Sequence, residues 1–110
     1  MGNLQAGGDW DIRQYNGFMV HFSIRQTGTQ LDGGTRCYHS GGAVRSTAAT
    51  GYVQNDFFEF TVTWDNGSQG RYSGFLRRNE GPDKGLITGD TEDLISHNRA
   101  TWKSLRNFPL

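Results

Sequence analysis

Three tryptophans, four tyrosines and seven phenylalanines supply most of the chemically useful surface of this 110-residue chain. Rings of this kind desolvate a small, partly apolar molecule, and a few polar groups among them fix its orientation. The spacing singles out Trp64, Trp102, Tyr72 and Phe60 as an apolar wall, with Asn16, Arg71 and Ser73 as orienting groups. The same rings also serve as a core in a chain with few aliphatic residues. Small residues in mid-strand, namely Gly33, Ser46, Ala48, Gly70, Ser73, Gly74 and Gly89, favour core plus cavity wall, because glycine there leaves space.

Other chemistries find less support. His21, His39 and His97 never fall at metal-ligand spacing, so a solvent-facing or hydrogen-bonded role is expected for each, and no metal or cofactor. Asp90, Glu92 and Asp93 alternate in part like a calcium loop, but the glycine and terminal glutamate are missing, which leaves a solvated turn. Serine and histidine are present without a G-x-S-x-G elbow or the strand-to-helix turn it needs. No catalytic residue is assigned. Cys37 is alone, so it forms no internal disulfide and reads as a small buried strand residue.

The elements that must position the rings are strands. Phe58, Phe60, Val62 and Trp64 alternate with Glu59, Thr61 and Thr63, the pattern of a half-buried strand. Phe18, Val20, Phe22 and Ile24 repeat it. Period two with Gly/Asn/Asp punctuation predicts about eight strands. They lie near residues 9–14, 17–26, 29–37, 43–53, 56–64, 69–77, 84–91 and 98–105, joined by short links at Asn16-Gly17, Thr27-Gly28, Gly41-Gly42, Asn55-Asp56, Asn66-Gly67 and Gly81-Pro82. No stretch holds a helical period for long, although Thr91 to Ser96 has room for one turn. Such a meander removes its exposed edges by closing, so the expected fold is all-β, an eight-stranded antiparallel up-and-down β-barrel. Residues 1–8 are expected to be a flexible N-terminal segment and 9–110 a single barrel domain. One uncertainty of register is built into the hairpin. A two-residue Asn66-Gly67 turn sends Gln69, Arg71, Ser73 and Phe75 inward, whereas one extra loop residue, or a bulge at Gly70, brings Tyr72 in.

Charge narrows the partners. Eleven basic and eleven acidic residues give a formal net charge of zero, which leaves no electrostatic footprint for nucleic acid or an anionic membrane. MGNLQAGG has neither a basic n-region nor an apolar h-region, and Ala6 stands where a myristoylation site has Ser or Thr. A soluble chain, cytoplasmic or already processed for secretion, is the expectation.

Three segments resemble the avidin and streptavidin family. Gly8-Asp9-Trp10, Asn16-Gly17-Phe18, Gly28 and Leu31-Asp32-Gly33 are similar to that family's opening hairpins; Phe60 to Asn66, FTVTWDN, is similar to its T-V-x-W-x-N strand; and Ala100 to Ser104, ATWKS, is similar to its A-W-K-S segment. The resemblance implies an eight-stranded barrel with one ligand at one mouth. Trp64 then matches a cavity tryptophan, Tyr72 stands in the place of the W-S-G tryptophan, Asn107 lies near a ligand-binding acidic residue, and Trp102 matches the tryptophan that reaches into a neighbouring subunit. A homo-oligomer follows, with Trp102 exposed at the contact. Ile12, Arg36 or Cys37, and the absence of Trp between Gly85 and Thr91 depart from the family's biotin contacts, so the ligand implied is not biotin.

Residue chemistry and resemblance together point to a non-catalytic barrel that binds a small ligand in an aromatic-lined cavity. Two alternatives stand beside it. A barrel enzyme would cyclise or isomerise an enclosed substrate by holding it in a reactive shape, and a polar interior with Arg71 or a buried carboxylate would favour it. A carbohydrate or protein interaction module would work through loops and exposed aromatics around a filled barrel.

Overall fold

Alternation of large apolar and polar residues gives strands with one buried face, and in the computed structural model these strands close on themselves. The structure describes residues 3–15, 17–33, 38–39 and 44–110, without the side chains of residues 38, 39, 44 and 47. Asn16, Arg36 and Cys37, and the side chain of His39, lie outside that description. The strands are β1 (Gly8–Gln14), β2 (Met19–Thr27), β3 (Gln30–Gly33), β4 (Tyr38–His39), β5 (Val44–Gln54), β6 (Phe57–Trp64), β7 (Gln69–Leu76), β8 (Ile87–Asp93) and β9 (Arg99–Ser104). No helix occurs among the described residues.

All the pairings are antiparallel. The short β3 and β4 both bridge β2 and β5, so they act as one interrupted strand, and β1 pairs with β9 as well as β2 to complete an eight-stranded closed barrel. The expected fold class is therefore the observed one. Closure leaves no open edge to template aggregation.

Inward positions follow the predicted alternation on β2 and β6, where Val20, Phe22, Ile24, Phe58, Phe60, Val62 and Trp64 are buried, but Phe18, just before β2, is 45% exposed; Trp10 and Ile12 on β1 and Trp102 on β9 are buried as well. In β5 the register shifts between Ser46 and Ala48. Ser46 and Ala49 are thereby both buried while Ala48 turns outward. Thr91 to Ser96 is divided between a strand and a single turn: β8 runs on to Asp93, the His97 N–H donates to the Asp93 carbonyl at 2.7 Å, and the Asp93 carboxylate accepts the backbone N–H groups of Ile95 and Ser96 at 2.9 Å each.

One end of the barrel is stoppered by the chain's own termini. Leu4 and Ala6 are buried there, the Leu4 N–H donates to the Asn55 carbonyl at 2.8 Å, and Gln26 binds the backbone of both Leu4 and Ala6. The Trp10 indole N–H donates to the Ala6 carbonyl at 2.8 Å and its ring meets Phe108 edge-on at 5.0 Å. Arg106 lies over the Phe108 ring at 4.9 Å and reaches the Gly7 carbonyl. Among the described residues, rings and hydrogen bonds thus close this end of the lumen.

Near the same end, Arg78 grips the Asp56 carboxylate with two hydrogen bonds, 2.7 and 2.9 Å long. The Arg78 hydrogen bond is the main reason that the Asp56 carboxyl titrates below its ordinary range. A carboxyl lowered on folding stabilises the native state above its unfolded value and loses that contribution as pH falls through its folded value. Asp56→Asn should therefore melt below the wild type at pH 7, and the gap should narrow as pH falls below the ordinary carboxylate range and through the lowered folded value. Melting curves from pH 7 downward check this; a gap that stays constant with pH would remove the ion pair as its cause.

Candidate functional site

The open mouth is built from the ends of β1, β6 and β8 and the beginnings of β2, β7 and β9. It encloses a cleft of about 290 Å³ whose lining includes Val20, Trp64, Gly70 and Tyr72 as apolar surface and Gln14, Thr91 and Asp93 as polar surface. Ser68, Gln69, Asn98 and Arg99 form its rim.

The β6–β7 turn decides which face of β7 enters the lumen. The Trp64 N–H donates to the Ser68 carbonyl at 2.8 Å and the Gly67 N–H to the Trp64 carbonyl at 3.0 Å, which makes Asp65–Gly67 a three-residue loop. Gly67 takes the positive φ of 90° that such a loop needs at its last residue. The Asn66 carboxamide oxygen accepts from both the N–H and the hydroxyl of Ser68 and so fixes the longer turn. Phe60 then faces Tyr72 across the ladder and Thr61 faces Arg71. Tyr72 points inward.

The residues picked out by sequence consequently divide. Trp64 and Tyr72 line the cleft. Phe60 lies deeper, fully buried, with its ring 5.4 Å from that of Phe22, which in turn touches Tyr72 at 5.2 Å. Arg71 is on the outer wall, bonded to Glu92 at 3.2 Å, and Ser73 shares that outer face. Neither can orient a ligand in the lumen. Asn16 falls outside the described residues, and Asn107 is exposed beside Gly85 at the stoppered end.

Trp102 requires a correction. The resemblance implied a ring exposed for a neighbouring subunit, but Trp102 is 2% exposed and lies inside its own barrel, 6.0 Å from Phe58 and 6.4 Å from Tyr72 by ring centroids. Position 102 alternates inward with Ser104, so the pairing register leaves it no outer face. Loss of assembly is accordingly not the expected result of Trp102→Ala; loss of packing is.

The small residues expected to leave a void mostly do not. A Cβ on Gly33 would stand 2.9 Å from the Phe60 ring, and one on Gly74 would stand 2.5 Å from the Thr88 carbonyl oxygen and 3.1 Å from the Trp102 ring. Ala48 and Ser73 lie outside the lumen altogether. Below the mouth, the lumen is a packed aromatic core of Trp10, Phe22, Phe58, Phe60 and Trp102. The cleft lies above this core, at the mouth.

Sequence reading missed Gln14 and Thr91, the two buried polar groups that face the cleft. The Tyr72 hydroxyl donates to the Gln14 carboxamide oxygen at 3.4 Å, a long bond that a ligand could shorten or replace. Gln14 continues the inward series of Trp10 and Ile12, so alternation was the signal that could have found it. Thr91 was masked by a predicted strand that stopped at residue 91. At the rim, hydrogen bonds from Ser96 and Ile95 hold the Asp93 carboxyl below its usual range, and Glu92 is lowered by His97 and Arg71. Both carboxylates stay ionised at neutral pH.

Among the described residues the buried polar side chains are Gln14, Ser46, Thr91 and Ser104, and the Tyr72 hydroxyl and the Trp102 indole N–H are buried polar groups on aromatic residues. The described residues bring together no cluster able to hold a metal ion. This mouth can desolvate, stack and hydrogen-bond a molecule.

No family model matches the chain. No curated protein matches it either. Among solved structures the chain is similar to that of EF1p2_mFAP2b bound to DFHBI, with a TM-score of 0.59, 9% sequence identity and 89% of each chain covered. At that identity the likeness is one of fold, an antiparallel barrel shared with a protein whose structure holds a small ligand.

Proposed function

We propose that this chain is a non-catalytic receptor barrel that holds one small, partly apolar molecule at its open mouth. The observation that carries the reading is an asymmetry: the chain closes one end with its own Leu4, Ala6 and Phe108 and leaves the other as a cleft floored by Trp64 and Tyr72. A volume of about 290 Å³ sits at the lower limit of ligand pockets, so a compact one-ring or fused-ring molecule is the class that fits. The ring stacks on Trp64 or Tyr72, while Gln14 and Thr91 supply the hydrogen bonds that set its orientation. The neighbour bound to DFHBI supports the reading through its fold alone. An avidin-like origin, with a ligand other than biotin, is the finer reading that the hairpin and strand motifs support. Assembly of such barrels would have to use outer surfaces, and the row of exposed Tyr52, half-buried Phe57 and exposed Phe75 offers an apolar one.

Gly70 offers a clean test. It is buried at the cleft, and a Cβ there would make only ordinary contact, 3.4 Å to the Tyr72 ring and 3.6 Å to the Trp64 indole nitrogen. Gly70→Val should therefore fold and fill the mouth. In a screen of small aromatic metabolites followed by tryptophan fluorescence, compounds that bind the wild type should lose at least ~1.4 kcal/mol, tenfold in Kd, on Gly70→Val, with a smaller loss on Gln14→Leu. Binding that survives the plug unchanged would end the proposal, as would a screen in which no compound alters either fluorescence or melting temperature.

A further inference from the structure

We propose that the outer wall carries a second binding site, a groove across β8, β9 and β1 that takes a small amphipathic anion. The groove has a volume of about 750 Å³, larger than the mouth, and its surface combines three cations with apolar walls. Lys103 faces Arg13 across the β1–β9 pair and Thr88 across the β8–β9 pair. The Arg77 Nε donates to the Thr88 hydroxyl at 2.6 Å, which brings its guanidinium to the same row. Arg77, Lys103 and Arg13 thus span two strand spacings, about 10 Å.

Like charges directly opposed on neighbouring strands weaken a sheet, so this row is unfavourable until something neutralises it. The protein does so only in part. Lys103 bonds Asp83 at 2.9 Å, and Asp90 stands in the next row, opposite Thr101. Arg13 and Arg77 have no ion pair among the described residues. Three cations against two carboxylates leave one positive charge, which matches a monoanion. Tyr15, 90% exposed, and Leu105, 51% exposed, flank the row on either side of Lys103 and supply the apolar contact. A sulfonate, carboxylate or sulfate on an aromatic or short aliphatic body satisfies both features. A second copy of the chain fits less well, since a twofold contact here would set the cations of one barrel against those of the other.

Naphthalene-2-sulfonate is a suitable probe, and naphthalene-2-methanol its uncharged counterpart. Titrations followed by NMR should show the sulfonate binding more tightly than the alcohol and weakening about tenfold on Arg13→Gln and on Lys103→Gln, the scale of one lost hydrogen bond to a charged group. Both substitutions are at exposed positions, and unchanged melting temperatures would confirm that the variants fold. Gly70→Val, which closes the mouth, should leave this binding intact. Equal affinity for sulfonate and alcohol, indifference to Arg13→Gln, or loss on Gly70→Val would each overturn the assignment, the last by placing the probe in the mouth. A change in sedimentation on Arg13→Gln in place of a change in binding would overturn it in favour of a contact between copies.

Discussion

Phe22→Ala should destabilise the protein by about 3–5 kcal/mol, a large share of the roughly 5–15 kcal/mol that holds a domain folded. Phe22 is fully buried at the centre of the lumen. Its ring contacts Trp10 at 5.1 Å, Tyr72 at 5.2 Å, Phe60 at 5.4 Å and Phe58 at 6.2 Å. Each of those rings is fixed by a strand of a closed barrel, so none can move in to fill the hole, and both the transfer and the cavity contributions are lost. Phe75→Ala is the matched control: that ring is 49% exposed on the outer wall and its removal should cost less than about 1 kcal/mol. Urea denaturation of the three proteins decides the matter. A Phe22→Ala penalty no larger than that of Phe75→Ala would mean that the lumen is not packed as described.

Of these two rings only Phe22 was readable from the sequence, because it lies on the apolar side of a strict alternation; Phe75 is in a return strand whose facing depends on its turn, and the two-residue turn would have sent it inward. The strands themselves were legible for the same reason, down to ends within a few residues. What escaped was governed by single backbone events. Asn66-Gly67 signals a two-residue turn, yet the Asn66 side chain binds Ser68 and lengthens the loop by one, which exchanges Arg71 and Ser73 for Tyr72 on the inner face. The shift between Ser46 and Ala48 turned Ala48 out in the same way. Glycine was read as empty space, whereas the Phe60 ring at Gly33 and the adjacent strand's backbone at Gly74 and Gly89 use it. The stopper was invisible, since Leu4, Ala6 and Phe108 show no periodicity and are positioned only by the barrel end they cover.

The close approach of strands at glycine gives the second large effect, now from adding atoms. Gly74 and Gly89 are direct partners across β7 and β8. A Cβ on Gly89 would overlap the Ser73 carbonyl oxygen and stand 2.5 Å from the Gly74 Cα. Those are backbone atoms, so no rotamer change relieves the overlap and the two strands must separate. Gly51 on β5 is in the same position against the Glu59 carbonyl oxygen. Overpacking of cores costs typically 1–3 kcal/mol and more where nothing can yield, so Gly89→Ala should cost about 3 kcal/mol or above. Gly17→Ala makes no contact within 4 Å, but its φ of 95° adds backbone strain, so it reports strain without overlap and should cost less. Because Gly89 stands opposite Trp102 in the β8–β9 ladder, separation there should also loosen the core indole. Near-ultraviolet circular dichroism of Gly89→Ala should therefore lose intensity along with its denaturation midpoint. A Gly89→Ala protein as stable as the wild type would show that β7 and β8 do not approach as closely at this point as the closed barrel requires.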